Sequence, residues 1–195
     1  MIAEAVRRSP LAGYRERFVA LSAATRGDLL IRELPFFSQV NFRADPNDAS
    51  TMQRLASSLG FALPVVPNTV TSLRERRALW LGPDEWLIVG PVDQEKALAQ
   101  ALRDGLEGAF GSIVDVSANR TVLEIRGPKA GDLLAHGVAI DLDNRSFGPG
   151  RCAETLLAKA QVIIERVGDD QAFHLFVRAS FAAYVADWLL DAAAE

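Results

Sequence analysis

The sequence predicts an α+β fold with antiparallel sheets, built from ferredoxin-like β-α-β units. Segments with the two-residue alternation of strands are interleaved with segments that have helical spacing. Some neighbouring strands are separated by only a short turn, and such hairpins pair antiparallel. The same order of elements recurs in the second half of the chain. We therefore expect a single domain over residues 28–195, with two lobes at about 28–110 and 111–195.

The first 27 residues are predicted to form an N-terminal arm outside this domain. They contain five arginines, with Pro10 and Gly13 as breaks. An arm of this composition is commonly solvated and partly frayed. The alternative is that the arm docks on an acidic partner, and the sequence leaves both possibilities open.

In the first lobe, a helix is the best-marked element. Asp45 can cap it, Pro46 suits its first position and Gly60 is placed to end it. The other predicted elements are strands at 28–33 and 37–43, an irregular stretch at 61–77, a hairpin at 77–90 whose turn is GPDE, and a helix from Asp93 that ends near Gly105 and Gly108.

In the second lobe, the run at 155–167 predicts one long strand, which the turn Gly168-Asp169-Asp170 reverses. Ser180 is predicted to cap a last helix with an apolar stripe. The other predicted elements are strands at 112–117, 121–127 and 173–178, and a short helix at 128–137.

Composition excludes several classes of function. The chain has 195 residues, of which 49% are hydrophobic and 24% charged, and its net charge is −4. This balance argues against disorder and against nucleic-acid binding. No run of 18 apolar residues could span a membrane, and the N-terminus lacks the apolar core of a signal peptide. The single cysteine, Cys152, suits a reducing compartment, and we expect a cytoplasmic protein.

The chemistry-bearing residues do not form a recognisable catalytic or metal site. The two histidines and one cysteine show no metal-ligand spacing. His136, at the end of a helix, is interpreted as structural, and Cys152 as buried and inert. His174 lies on a strand face with Phe176 and Arg178, either exposed or covered by a partner.

Nucleophile and cofactor motifs are also missing from the sequence. Ser117 and Ser180 do not occur in a GxSxG setting, and no GxGxxG or GxxxxGK[ST] loop occurs. Paired carboxylates such as Asp141 and Asp143 fall in apparent turns, which select aspartate for backbone reasons. The glycines at 147–151 could form an anion nest, but a plain turn is the simpler interpretation. The residues therefore indicate a binding or assembly module without catalytic residues or a cofactor of its own.

An ordered set of segments resembles one family over nearly the whole chain. The segments are SPLAG near the start, LGPDEWLIVG at 81–90, DVSANRTVLEIRGPKAGDLLAHG at 115–137, the run at 141–167, and FHLFVRASFAAYVADWLLDA at 173–192. This pattern resembles the gamma subunit of heterotetrameric sarcosine oxidase. Residues 115–189 also resemble, more faintly, the folate-binding domain of the glycine cleavage T-protein, which implies a T-protein-like fold. The acidic pair of that family falls on Ile163-Ile164, so the resemblance implies loss of its folate-handling acid.

The resemblance also implies partners and a reaction. The complete enzyme demethylates sarcosine to glycine and produces hydrogen peroxide and methylenetetrahydrofolate. FAD, FMN, NAD and tetrahydrofolate belong to the partner subunits, and the chain would assemble with alpha, beta and delta. Aromatic residues dominate interface hot spots. We therefore select four interface candidates, for which a core position is the alternative: Trp80, Trp86, Phe36 and Phe37.

Two other functions remain open at this stage. The first is an independent folate-binding or aminomethyl-transferring protein, for which Asp115 is the only carboxylate we would name. The second is a ferredoxin-like interaction module for some other partner. Folate binding by the isolated chain, lost in Asp115→Ala, would favour the first of these.

Overall fold

The structure is a computed structural model that describes residues 7–168 and 171–194. Two five-stranded antiparallel sheets stack face to face, and helices cover their outer faces. The strands are β1 Leu30–Leu34, β2 Phe37–Ala44, β3 Val70–Leu73, β4 Arg76–Gly82, β5 Glu85–Val92, β6 Gly111–Asp115, β7 Arg120–Arg126, β8 Cys152–Leu157, β9 Ala160–Val167 and β10 Ala172–Arg178. The helices are α1 Arg15–Ala24, α2 Ala49–Leu59, α3 Glu95–Leu106, α4 Ala130–Ala135 and α5 Ala182–Ala192.

The two sheets exchange edge strands between the halves of the chain. Sheet A has the strand order β1-β7-β10-β9-β8, and sheet B has the order β3-β4-β5-β2-β6. Strand β1 therefore pairs with β7 from the second half, and β6 pairs with β2 from the first half. The predicted lobe boundary at residue 110 does not separate the sheets, because each half contributes one edge strand to the sheet of the other.

Apolar side chains form three layers. Helices α1, α4 and α5 pack on the outer face of sheet A, and α2 and α3 pack on the outer face of sheet B. A smaller apolar cluster lies between the sheets. Helices α2 and α3 approach closely because Gly105 has no side chain: a Cβ there would lie 2.9 Å from Cα of Leu55. Gly105 is thus a packing residue in the last turn of α3, which ends at Leu106, between the two glycines predicted to mark its end.

The start of α2 also differs from the prediction. The cap is Asp48, whose carboxylate accepts a hydrogen bond from the backbone N–H of Thr51 at 3.1 Å. Asp45 instead accepts from the backbone N–H of Asn47 at 2.9 Å, which forms a turn before the helix. The predicted end is confirmed, since Gly60 adopts the left-handed conformation with φ of 87°.

The described part of the N-terminal segment belongs to the fold and is not a solvated arm. Leu11 and Phe18 are buried in the layer outside sheet A. The hydroxyl of Tyr14 and the guanidinium of Arg17 both donate to the carboxylate of Asp187 on α5. The sequence did not reveal this packing because the apolar residues of α1 form a consecutive run from Phe18 to Leu21 and lack helical spacing.

Three further elements differ from the prediction in their boundaries. The stretch at 61–77, predicted as irregular, contains β3 and the start of β4. The predicted long strand at 155–167 is a hairpin that turns at Ala158, with φ of 51°. Ser180 lies in a single 3₁₀ turn, and α5 begins at Ala182 without a side-chain cap. The predicted turn at 168–170 falls mostly outside the described residues.

Candidate functional site

The four aromatic interface candidates occupy three different places. Trp86 is completely buried under α2 and α3, and its indole N–H donates to the carbonyl oxygen of Pro64 at 2.7 Å. The prediction is wrong for this residue, because no part of its ring is open to a partner. Trp80 packs partly buried against the same layer, and Phe37 lies partly buried between the sheets. Phe36 lines a surface cavity.

This cavity has a volume of about 370 Å³ and lies where four segments meet. Phe36 lines it from the turn between β1 and β2, Glu95 from the start of α3, and Asp115 from the end of β6, beside Arg7 and Arg8. Phe36 has φ of 67°. A left-handed conformation in a bulky residue costs about 1–3 kcal/mol and occurs where the surroundings enforce it. The structure therefore brings Phe36 and Asp115 together, which the sequence did not predict.

Asp115 itself is bound to its own turn. Its carboxylate accepts from the backbone N–H of Ser117 at 2.9 Å and from the Ser117 hydroxyl at 2.6 Å. The hydroxyl oxygen of Ser117 in turn accepts from the backbone N–H of Gln39 at 3.0 Å. These bonds end β6 and hold the following segment against β2, which gives Asp115 a structural role at the cavity wall.

A cluster of charged side chains lies between the two sheets, and we call it the inter-sheet charge cluster. It consists of Arg77 from sheet B with Glu124, Glu165 and His174 from sheet A. The Arg77 guanidinium is 3.0 Å from Glu165. Nδ1 of His174 lies 3.5 Å from Glu165, and its Nε2 lies 3.8 Å from Glu124. Glu124 is also paired with Arg32 on β1. Buried charges are tolerated only when they are paired, and Arg77, Glu124 and Glu165 each have an oppositely charged neighbour.

His174 also contacts the arginine of the cluster. Nη2 of Arg77 lies 3.2 Å from Nδ1 of His174. Because an arginine can only donate, we assign Nδ1 as the acceptor in this contact. His174 is 5% exposed and lies on β10, the central strand of sheet A. Neither predicted environment is found, because sheet B of the same chain covers it.

Cys152 is buried next to this cluster, as predicted. Burial raises the pKa of its thiol to about 12, and the nearby Glu165 carboxylate adds to the rise. Its sulfur lies 3.5 Å from the carbonyl oxygens of Thr69 and Trp80. With so little thiolate at neutral pH, the residue has no nucleophilic character.

The paired aspartates in turns accept hydrogen bonds from nearby backbone N–H groups. Asp141 accepts from the backbone N–H of Asp143 at 2.9 Å, and Asp143 accepts from that of Arg145 at 3.0 Å. The hydroxyl of Ser146 lowers the pKa of Asp141, and the N–H groups of Arg145 lower that of Asp143. Both carboxyls are therefore held ionised by turn contacts, which suits the interpretation as turn residues.

Phe110 is a surface residue that was not predicted. It lies between α3 and β6 and is 96% exposed. Four positions further along the chain, on β6, Val114 is 49% exposed. The signal in the sequence was an apolar ring between Gly108 and Gly111, in a connection that has neither helical nor strand periodicity.

Within residues 7–168 and 171–194, no group of three or more metal-binding side chains comes together. Over the same residues, no helix combines the length and the apolar character that crossing a membrane would require.

Comparisons with known proteins agree over nearly the whole chain. The sequence model of the "Sarcosine oxidase, gamma subunit family" matches residues 43–195. Sarcosine oxidase subunit gamma from Arthrobacter sp is 38% identical over 191 residues, which cover 97% of this chain and 91% of the relative. One chain of the heterotetrameric sarcosine oxidase from Corynebacterium sp. U-96, solved in complex with pyrrole 2-carboxylate, is 35% identical with a TM-score of 0.85, over 96% of this chain and 95% of that chain.

A more distant structure shares the fold alone. Aminomethyltransferase T of the glycine cleavage system from Bartonella henselae is 14% identical with a TM-score of 0.69, and the match covers 95% of this chain and 57% of that chain. The predicted α+β, T-protein-like fold with antiparallel sheets is thereby confirmed. Since the family match spans residues 43–195 and the Arthrobacter relative aligns over almost the full length, the chain belongs to the sarcosine oxidase gamma subunit family.

Proposed function

We propose that the chain is the non-catalytic gamma subunit of a heterotetrameric sarcosine oxidase and that it supports assembly of the complex. One observation carries this proposal: the similarity, over 96% of the chain, to a chain solved within such a heterotetramer. The complex would oxidatively demethylate sarcosine to glycine in the cytoplasm, reducing oxygen to hydrogen peroxide and releasing the one-carbon unit as methylenetetrahydrofolate. Its alpha, beta and delta subunits would be the partners, and FAD, FMN, NAD and tetrahydrofolate would be bound there.

The interior supports a role without a cofactor in this chain. Ile163 and Ile164 are buried in the apolar clusters on the two faces of β9, where a carboxylate would have no polar partner. The ionisable groups between the sheets are paired with one another, and Cys152 is a neutral thiol. None of these groups is available for acid–base or nucleophilic chemistry.

The second candidate function is folate binding by this chain itself. The cavity of about 370 Å³ that contains Phe36 and Asp115 favours it, since it combines an aromatic ring with a carboxylate. The bonds from Ser117 to Asp115 argue against it, because they already satisfy the carboxylate that would have to bind folate.

The test is co-expression of the tagged chain with the alpha, beta and delta subunits of the same organism. We expect a yellow complex that contains all four chains, identified by its mass and its visible absorbance. Omission of this chain should reduce the yield of assembled complex without removing flavin from the other subunits. A colourless chain that purifies alone would refute the proposal.

Titration of the isolated chain with tetrahydrofolate separates the two functions. We expect no saturable binding. Binding that is lost in Asp115→Asn, and retained in Asp132→Asn on the exposed face of α4, would support the folate-binding function instead.

A further inference from the structure

A strip along β6 combines exposed apolar side chains with arginines that have no partner in the described chain. Side chains of a strand alternate between its faces, so Ser112 and Val114 on β6 share one face, and Phe110 directly precedes the strand, two residues before Ser112. In the pairing of β6 with β2, Val114 lies opposite Asn41. This face of sheet B continues between the two sheets, but at its β6 edge sheet A does not cover it, as the exposure of Phe110 and Val114 shows.

The strip ends at two arginines. On β2, two residues before Asn41, Gln39 donates from its side-chain amide to the backbone carbonyl oxygen of Arg120 at 2.9 Å. Arg120 on β7 lies directly opposite Arg178 on β10. Like charges directly opposite each other destabilise an antiparallel pair.

Within residues 7–168 and 171–194, neither guanidinium donates a side-chain hydrogen bond or lies within 4.0 Å of a carboxylate. Arg120 is only partly exposed, and burial lowers its pKa, with the charge of Arg178 as the second cause; the charges of Glu154 and Glu85 act in the opposite direction without cancelling this shift. A half-buried guanidinium next to a like charge gains from the arrival of an anion.

No carboxylate near the strip pairs directly with either guanidinium. Glu154 on β8 acts on Arg120 only from beyond 4.0 Å. Glu85 accepts from the side-chain amide of Asn41 at 2.7 Å, and Asp84 binds Arg43 through two hydrogen bonds. Asp115, at the other end of β6, is held by Ser117. The unmatched groups of the strip are therefore two apolar side chains and two cations.

We propose that this strip, defined by Phe110, Val114, Arg120 and Arg178, is the surface on which another subunit of the sarcosine oxidase complex docks. The docking segment carries apolar side chains that cover Phe110 and Val114, and a carboxylate that binds Arg120 and Arg178. This inference rests on the proposed function and adds to it the location and chemistry of one subunit contact. Aromatic residues and arginines are the residue types enriched at the centres of such contacts.

The experiment uses the full chain and the complete complex. Phe110→Ser and Arg178→Glu are made separately and together, and each variant is co-purified with the alpha, beta and delta subunits. Matched controls on α1, outside sheet A, are Val19→Ser, with 63% exposure in the wild type, and Arg15→Glu. The affinity for the subunits is measured by titration at low and high salt. Far-UV circular dichroism and thermal unfolding of each free chain show that the fold is intact.

If the strip is the docking surface, each strip variant weakens association by about tenfold or more. The loss caused by Arg178→Glu shrinks as salt is added, since it arises from an ion pair with a partner carboxylate. The α1 variants bind as the wild type does.

Three outcomes overturn the inference. If folded strip variants assemble as tightly as the wild type, the contact lies elsewhere, while the proposed function stands because the wild type still assembles. If the wild type does not assemble at all, the proposed function fails and this inference with it. If the free chain dimerises, and Phe110→Ser abolishes the dimer without changing subunit binding, the occupant of the strip is a second copy of this chain.

Discussion

The inter-sheet charge cluster and the β6 strip both lie on the faces that the two sheets turn toward each other, yet they differ in how their polar groups are satisfied. Where the sheets cover each other, Arg77 contacts Glu165 and His174 from the opposite sheet. Toward the β6 edge, where this cover ends, Phe110 is exposed and the guanidinium of Arg178 has no carboxylate within 4.0 Å in the described chain. The comparison teaches that a partner-binding surface is better recognised by charged and apolar side chains without a counterpart in the chain than by exposed area alone.

The strongest test of this comparison removes one charged group from the inter-sheet charge cluster. Glu165→Ala leaves Arg77 without its closest carboxylate inside the protein. Breaking a buried pair from one side costs about 3–5 kcal/mol, and we expect a loss of that size in the free energy of unfolding, measured with urea.

The double variant Arg77→Met with Glu165→Leu provides the control for this effect. It replaces both charges by apolar groups of similar size, and its unfolding free energy should lie within about 1 kcal/mol of the wild type. Equal losses in the single and double variants would show that packing, not charge pairing, determines the cost.

A second prediction concerns Trp86, the completely buried residue among the four aromatic interface candidates. Trp86→Phe removes the hydrogen bond to Pro64 and leaves a buried carbonyl unsatisfied, for which we expect a loss of about 2 kcal/mol. Subunit affinity of the folded variant should not change, because the ring is completely buried. A variant that is fully stable but assembles poorly would contradict the buried assignment.

A third prediction concerns a partly buried charge that forms its hydrogen bonds within the chain. Hydrogen bonds from Thr51, first through its side chain, lower the pKa of Asp48 to about 2. Since this pKa lies below the value of about 3.9 for an unfolded aspartate, the stabilisation is fully present above that value and is lost as pH falls through 2.

Asp48→Ala should therefore lower the melting temperature at pH 7, by less than Trp86→Phe does. Near pH 2 the wild type and the variant should melt almost together. Asp132→Ala, at an exposed position on α4 without a hydrogen bond of its own, serves as the control and should show no such pH dependence. A difference between wild type and Asp48→Ala that persists unchanged at pH 2 would argue against the cap.

The smallest expected effect on stability belongs to the strip itself. Phe110 is 96% exposed, and Phe110→Ser should change the free energy of unfolding by no more than about 0.5 kcal/mol. A larger loss in urea unfolding would mean that the ring packs within the free chain, and the contrast between the two regions would no longer hold.

Short sequence patterns correctly predicted the elements that neighbouring residues alone determine. Gly60 ends α2 through its left-handed conformation, and the hairpin of β4 and β5 turns at Gly82-Pro83-Asp84-Glu85. The hairpin at Ala158 was missed, because alanine and lysine at a turn carry no signal that distinguishes them from strand residues. Helix α2 was placed too early because two aspartates could each have served as its cap.

The candidate site depended on information that no local pattern contains. Alternation placed Trp86 on one face of its strand but could not show that α2 and α3 cover that face. Phe36 and Asp115 meet in one cavity only because the chain passes from sheet A to sheet B between β1 and β2. The strip required knowledge of where sheet A ends, which depends on the packing of the two sheets.

The exchange of edge strands has a consequence for how the chain folds. Neither half can complete its own sheet. Strand β1 pairs with β7 and strand β2 pairs with β6, so each pairing joins backbone groups from both halves of the chain. Contacts between such distant segments slow folding, because a large loop must close before they form. We therefore expect the two halves to unfold in one cooperative transition. Cleavage of the chain between Phe110 and Gly111 would yield fragments that fold only when they are together.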